Sequence, residues 1–494
     1  MAVLLLAPLI ATLTRAEGWT GLRPSDGSAL WFTLWQAAVS AALSVLLAIP
    51  VARALARRRF PGRGAVVLVL GAPFILPTIV AVLGLVAVFG RSGLVADLTG
   101  WSPPLYGPQG VILAHVFFNM PLAVRLIVQG WATVPGERLR LAASLGFGPG
   151  DTFRVLEWPM LRAVVPGVFL VVFLICTTSF AIALALGGGP RATTVELAIY
   201  AAFRFDFDLG RAAALAGMQL AIGVVAATAT LRLSLPSGFG AGLDRPVRRW
   251  DSQGAILRLQ DVACIAAACL FLLTPLTMVL AGGATHLPDI EASVWRAALR
   301  SLVIAVGAAL ATAAVAFPMA LAVASGRRWV DVVAVLTITA SPLVLGIGTY
   351  VLLLPVTNPL VWALPVTAAV NVLLALPFAM RALVPALRDL TADYGRLSAS
   401  LGLTGAAWLR VVALPRLRGP LGYAMGLTAA LSAGDLGVIA LFARPEDATL
   451  PLKLYQLMGA YRMADAQAAG VLLVVIALGL FWAFERAGRD ADAG

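Results

Sequence analysis

Apolar residues run through this chain in long blocks separated by short polar intervals, many of them rich in arginine. The blocks fall near 1–14, 30–56, 64–90, 109–132, 163–186 and 209–232, then near 260–282, 295–324, 330–355, 360–384, 419–442 and 464–484. About 20 consecutive apolar residues make a helix long enough to cross a bilayer, where only helices and closed barrels satisfy their own backbone. The pattern predicts an all-α polytopic membrane protein of about twelve transmembrane helices in two sets of six. The first block, MAVLLLAPLIATLT, is short for a span. It lacks a basic flank and a cleavage site, so it reads as a first span with a trimmed start rather than a signal peptide.

The polar intervals orient the spans. RRRFPGR (57–63), the region 134–162, RPVRRW (245–250), GRR (326–328) and 386–418 are basic and lie in alternate loops. The positive-inside rule makes their common face cytoplasmic and puts both termini there. RFDFDLG (204–210) and ARPEDATL (443–450), on the other face, mix acids with bases. The stretch 233–258 is rich in Pro, Gly and Ser and reads as a cytoplasmic connection. The expected organisation is a first half over 1–235, a linker over 236–258 and a second half over 259–494.

A shift of 256 positions lays RLAASLGFGPGDTFRVLEWPMLR (140–162) over RLSASLGLTGAAWLRVVALPRLR (396–418) without a gap. Gly146 meets Gly402, Arg154 meets Arg410, Pro159 meets Pro415, and upstream Glu137 meets Asp393. This is an internal duplication. With six spans per copy, both halves enter the membrane the same way round, related by a pseudo-twofold axis along its normal. Ala142, Ala143 and Ser144, with Ser398, Ala399 and Ser400, give each loop a thin, approachable helix. Leu141 and Leu145 share one face of the first, and Leu397 and Leu401 match them in the second. Gly146 and Gly402 permit a turn that bulkier residues resist. An apolar small-residue surface among charges suits a protein partner; the alternative is an amphipathic connector packed on its own spans.

In both copies the short helix, the glycine and a proline thirteen residues later resemble the EAA motif of ABC importer permeases. The resemblance implies the type I importer fold. It also implies that Glu137, Arg140–Gly146, Asp393 and Arg396–Gly402 dock into an ATP-binding subunit, a homodimer with one socket per loop, with Pro159 and Pro415 as structural residues of the loops. Arg140 and Arg396 stand where the family commonly has Glu; Glu137 and Asp393, one turn earlier, are positioned to take over part of that role. Replacing Gly146 and Gly402 together by a bulky residue is expected to uncouple or disassemble the complex while the spans stay inserted. Normal uptake by that variant would remove the assignment. ALARRRFPGR (54–63), LAHVFFNMPLAVRL (113–126), RVLEWPMLR (154–162), LGGGPRATTVELAIYAA (186–202), LSAGDLGVIALF (431–442) and LPLKLYQLMGAYR (450–462) further resemble permeases of thiamine and thiamine pyrophosphate importers. That resemblance implies an inner-membrane protein that receives substrate from a periplasmic thiamine-binding protein. Iron(III) and polyamine permeases share the architecture and are the alternatives for substrate.

Composition narrows the chemistry. The chain of 494 residues is 61% hydrophobic and 12% charged, with a mean hydropathy of +0.93. Its net charge of +12 sits in the loops, which favours membrane orientation over nucleic-acid binding. Its one lysine, Lys453, has no GxxxxGK[ST] context, so ATP and Mg belong to the partner and no cofactor is expected here. Cys176, Cys264 and Cys269 read as packed thiols, and His115 with His286 gives no metal site. HExxH and GxSxG are absent, which disfavours an intramembrane enzyme. A parallel repeat with almost no intramembrane acids disfavours an ion-coupled secondary transporter.

Asp435 is the exception, an acid in an apolar block. It is a candidate for the substrate path, attracting a thiazolium cation, or alternatively a structural acid held by backbone or arginine. Thr177, Thr178 and Ser179 occupy the matching stretch of the first half and can line the path or bond to their own helix. Asn119, beside Pro121, can line a helix break or take up the carbonyl that the proline frees. Gly187, Gly188, Gly189 and Pro190, with LPLKLYQLMGAYR, are candidates for binding-protein docking or an outer gate; a plain connecting loop is the alternative.

Overall fold

The computed structural model describes residues 2–15, 21–187, 189–232, 249–252, 254–327, 330, 337 and 341–489. Every regular element among them is helical. Ten helices are long and apolar enough to cross a membrane, from Pro24–Arg57 to Met463–Arg489, and two shorter apolar helices, Leu5–Thr14 and Pro342–Leu353, accompany them. These account for the twelve blocks. Most of the 236–258 linker, Gly188 and part of the 330–355 block lie outside the described residues.

Where hydropathy predicts single spans, several blocks are broken. The 64–90 block divides into Arg63–Ile75 and Thr78–Phe89 at Pro77, which has no amide hydrogen to continue the ladder. The 163–186 block divides into Trp158–Thr177 and Phe180–Leu186. The 419–442 block divides into Leu414–Ala433 and Gly437–Phe442, where Asp435 Oδ1 accepts the Gly437 amide at 3.1 Å. Pro342–Leu353 starts abruptly because the Ser341 hydroxyl accepts the Leu343 amide at 3.1 Å.

The first helix of each half packs on the other half as well as on its own. Ala2–Arg15 lies so close to Pro342–Leu353 that a Cβ on Gly348 would stand 2.0 Å from the Pro8 carbonyl oxygen. Ala255–Ala284 lies on Thr78–Phe89, where a Cβ on Gly84 would stand 2.6 Å from the Pro275 oxygen. The halves interlock. In lipid, apolar surface has no water to flee, so association depends on close packing of small residues. Gly422 and Gly426, a GxxxG pair, serve this on Leu414–Ala433: a Cβ there would stand 2.5 and 2.7 Å from carbonyl oxygens of Phe484 and Phe481 on Met463–Arg489.

Candidate functional site

The helix breaks converge. A cavity of about 470 Å³ is lined by Pro77 and Thr78, Thr178 and Ser179, Pro342, and Gly434 to Gly437, together with His115, Asn119, Arg125 and Asn371. All four predicted path residues, Asp435, Asn119, Thr178 and Ser179, are brought to it. The 256-residue shift pairs its polar residues across the two halves: Ser179 with Asp435, His115 with Asn371, and the neighbouring Cys176 with Ser432. Asn371 donates to Ser432 Oγ at 2.8 Å, while Asn119 donates to Cys176 Sγ at 3.4 Å. One architecture thus carries two chemically different walls.

Of these residues, Asp435 is an acid with spare capacity. Its Oδ1 takes the Gly437 amide, but Oδ2 is buried without a partner. An unpaired carboxylate oxygen in a low-dielectric site is costly, and a cation relieves the cost. The first-half threonine hydroxyls are occupied: Thr177 Oγ1 donates to the Leu174 oxygen at 2.7 Å, and Thr178 Oγ1 reaches the Leu174 and Ile175 oxygens at 3.4 and 3.3 Å. Asn119 donates to the His115 oxygen at 2.9 Å, not to the Phe117 carbonyl that Pro121 leaves free, so the expected proline-satisfying role is not the one observed. His115 is buried, its Nδ1 3.3 Å from Ser40 Oγ and its Nε2 without a partner.

The two repeated loops make a second candidate site. Each runs from a helix into a left-handed glycine, Gly146 (φ 71°) or Gly402 (φ 63°). A four-residue helix follows, Pro149–Thr152 or Gly405–Trp408, then a π-turn, Phe153–Glu157 or Leu409–Ala413. Pro159 and Pro415 sit in the first turn of the next helix, where the missing amide is tolerated and the widened π-turn makes room for the ring. A Cβ on Gly146 or Gly402 would meet nothing within 4 Å, so backbone conformation, not space, selects glycine. Leu141 and Leu145 are 60% and 63% exposed, Leu397 and Leu401 54% and 64%, so a paired apolar surface faces outward from both copies. Ala142 and Ser398 turn inward and are buried. Ser144 and Ser400 each donate to their own helix, at 2.8 Å. Glu137 pairs with Arg140 at 3.6 Å on the exposed surface.

The copies differ in their support. Pro135 separates the first loop helix, Gly136–Ser144, from its span, whereas Thr391 in its place lets Ala363–Ser400 run through as one helix. Glu157 is buried between Arg53 Nε (2.6 Å) and Arg249 Nη2 (2.7 Å), and Trp250 Nε1 donates to the Phe147 carbonyl at 2.9 Å. The end of the inter-half linker is thereby clamped onto the first loop. Ala413, which cannot form such an ion pair, stands opposite Glu157 in the second copy. Sequence reading took Arg249 only as an orienting charge, weighed His115 only as a metal ligand and passed over Glu157; the Glu157/Ala413 mismatch within the repeat was the available signal for the last.

At the other end, Gly187 is buried, with a Cβ there only 2.3 Å from the Ala183 oxygen, so of the predicted docking glycines described it is Gly189 (φ 97°) that is exposed. Pro190 opens a short 3-10 turn, and Thr194 then caps Val195–Arg204 by accepting the Leu197 amide at 3.2 Å. Much of that helix, including Glu196, is buried.

Among characterised proteins, the chain is 40% identical over 479 residues to the thiamine transport system permease protein ThiP of Brucella abortus, covering 93% of this chain and 87% of the relative. It is 38% identical over 494 residues to the protein of the same name from Escherichia coli, covering 95% and 92%. A probable sulfate transport system permease protein from Helicosporidium is 26% identical over 216 residues, covering 42% of this chain and 80% of that one. No family model matches the chain.

Proposed function

This chain belongs to the ThiP family of thiamine transport system permeases, and we propose that it forms the membrane path of an ATP-driven importer for thiamine and its phosphate esters. The carrying observation is the identity to these relatives along nearly the whole chain. It favours thiamine over iron(III) or polyamines. In this reading the basic end faces the cytoplasm of the inner membrane, with both termini on that side. A separate homodimeric ATPase carrying ATP and Mg engages the leucine surfaces of the two loops. A periplasmic thiamine-binding protein delivers substrate to the opposite end. ATP does work on the permease only through tighter binding to one conformation, and the coupling is reciprocal, so substrate delivery favours ATP binding in turn.

The cavity suits this cargo. The thiazolium ring of thiamine is a permanent cation, and Asp435, on the cavity wall where the broken helices meet, keeps a buried Oδ2 without a partner. Arg125 on the same cavity wall suits a phosphate ester. Asp435→Asn keeps the Gly437 hydrogen bond and removes the charge. Uptake efficiency is expected to fall tenfold or more, ~1.4 kcal/mol, with the complex still assembled. Wild-type uptake by this variant would move Asp435 to a structural role.

The test of the reading is ATP-dependent uptake of labelled thiamine into proteoliposomes holding this chain, its ATPase and its binding protein, with iron chelates and polyamines as competitors. Inhibition by thiamine compounds alone is expected. A complex that hydrolyses ATP and ignores thiamine would overturn the substrate.

A further inference from the structure

Two non-glycine residues among those described have positive φ, Phe207 at 53° and Tyr461 at 58°. They occupy equivalent turns. Phe207 lies between Val195–Arg204 and Leu209–Arg232, and Tyr461 between Leu450–Gly459 and Met463–Arg489. Both turns lie one crossing away from the repeated loops, at the opposite end of the bundle. Each closes its helix by folding an amide back, Asp208 to the Ala202 oxygen (2.9 Å) and Arg462 to the Leu457 oxygen (3.0 Å).

At three closures the left-handed residue is glycine: Gly146, Gly402 and Gly326, followed by amides of Phe147, Leu403 and Arg327 folding back five residues to Ala142, Ser398 and Ala322, as Arg462 does after Tyr461, while the closure after Phe207 is one residue wider. Glycine enters this region freely, and a side chain enters it against preference. The chain therefore uses glycine for this turn elsewhere and an aromatic at two symmetric places. Packing within the chain does not repay that choice: Phe207 is 81% and Tyr461 92% exposed.

Ion pairs hold both turns. Asp206 binds Arg23 (3.0 Å) and Arg211 (2.8 Å); Arg462 binds Glu291 (2.6 Å) and Asp465 (2.7 Å). Arg23 and Glu291 are the N-cap residues of Pro24–Arg57 and Ala292–Ala324, so each turn is level with the outer tip of a span. The exposed tryptophans Trp31 and Trp295 lie deeper on those same helices, by about 10 and about 5 Å at 1.5 Å per residue, where interfacial rings sit. Phe207 and Tyr461 stand beyond that level, among charges.

The geometry points to Phe207 and Tyr461 as paired anchors for the soluble protein that delivers substrate to the outer mouth of the permease. This rests on the importer reading above. Rigid aromatic rings gain contact area at small entropic cost and dominate protein interfaces.

The test measures binding of thiamine-loaded binding protein to the permease–ATPase complex in lipid nanodiscs. The double variant Phe207→Gly, Tyr461→Gly removes both rings and relaxes both backbones, so its unfolding midpoint is expected to be unchanged or higher. Its Kd for the loaded binding protein is expected to rise at least tenfold. Equal affinity in wild type and variant would overturn the anchors and leave the importer reading intact; no binding by wild type would overturn both. A fluorophore on Tyr461→Cys should respond to the binding protein. Quenching by brominated lipid with no response to the protein would place the ring in the bilayer interface and overturn the proposal.

Discussion

Replacing Leu141 and Leu397 together by aspartate should release the ATPase from the permease and abolish ATP-driven uptake. Both side chains are more than half exposed, on helices whose inward contacts come from other residues, such as Ala142 and Ser398. Surface changes of this kind alter stability by about 0.5 kcal/mol or less, so the permease should remain folded. At a docked interface each leucine is worth ~1.5–3 kcal/mol when buried, and a carboxylate in an apolar cleft adds a desolvation cost. Two symmetric losses predict a fall in affinity of at least about a hundredfold. Co-purification of the ATPase with the variant, followed by uptake in proteoliposomes, is the measurement. A variant that retains its ATPase and transports normally would show that these faces are not the sockets.

Glu157→Ala should destabilise the first loop far more than any change at Ala413 destabilises the second. The Glu157 carboxylate is buried between Arg53 and Arg249, and Arg249 is itself buried. Removing one partner of a buried ion pair costs ~3–5 kcal/mol, because the charge left behind is neither solvated nor paired. Asp251, which also binds Arg249, softens the loss toward the lower end. The expected signature is faster amide exchange over 147–157 and a lower unfolding midpoint. Adding Arg53→Met, Arg249→Met and Asp251→Asn to the variant should recover part of it, since no charge of the buried cluster is then left without its partner. Unchanged exchange would mean that the clamp carries no load. Burial pushes the Asp251 carboxyl up, but hydrogen bonding and the charge of Arg249 hold it below the usual carboxylate range. Its contribution is therefore complete above about pH 4 and is lost as acidification passes through the lower folded value.

The repeat, the number of apolar blocks and the position of both repeated loops were legible in the sequence because each depends on local composition or on a fixed spacing. Gly146 and Gly402, Leu141 and Leu397, Pro159 and Pro415 were found from their register alone. Asp435 was conspicuous because an acid in an apolar block has few reasons to be there. Its setting was not legible: hydropathy averages over a window and does not register that the helix stops at Ala433 and restarts at Gly437. The same averaging hid the breaks at Pro77 and Thr178 and the helix start at Ser341.

By itself, the sequence determined the membrane class, the duplication, the alternation of basic and mixed loops, and the loop chemistry. All of these follow from the order of side chains along the chain. The tertiary structure decided which breaks meet around one cavity, that the first helix of each half packs on the other half, and that Glu157 is gripped by an arginine 92 residues away. It also decided that Phe207 and Tyr461 share a strained backbone. These are properties of residues distant in sequence and brought together by close packing of small side chains. A one-dimensional pattern carries no direct record of such contacts.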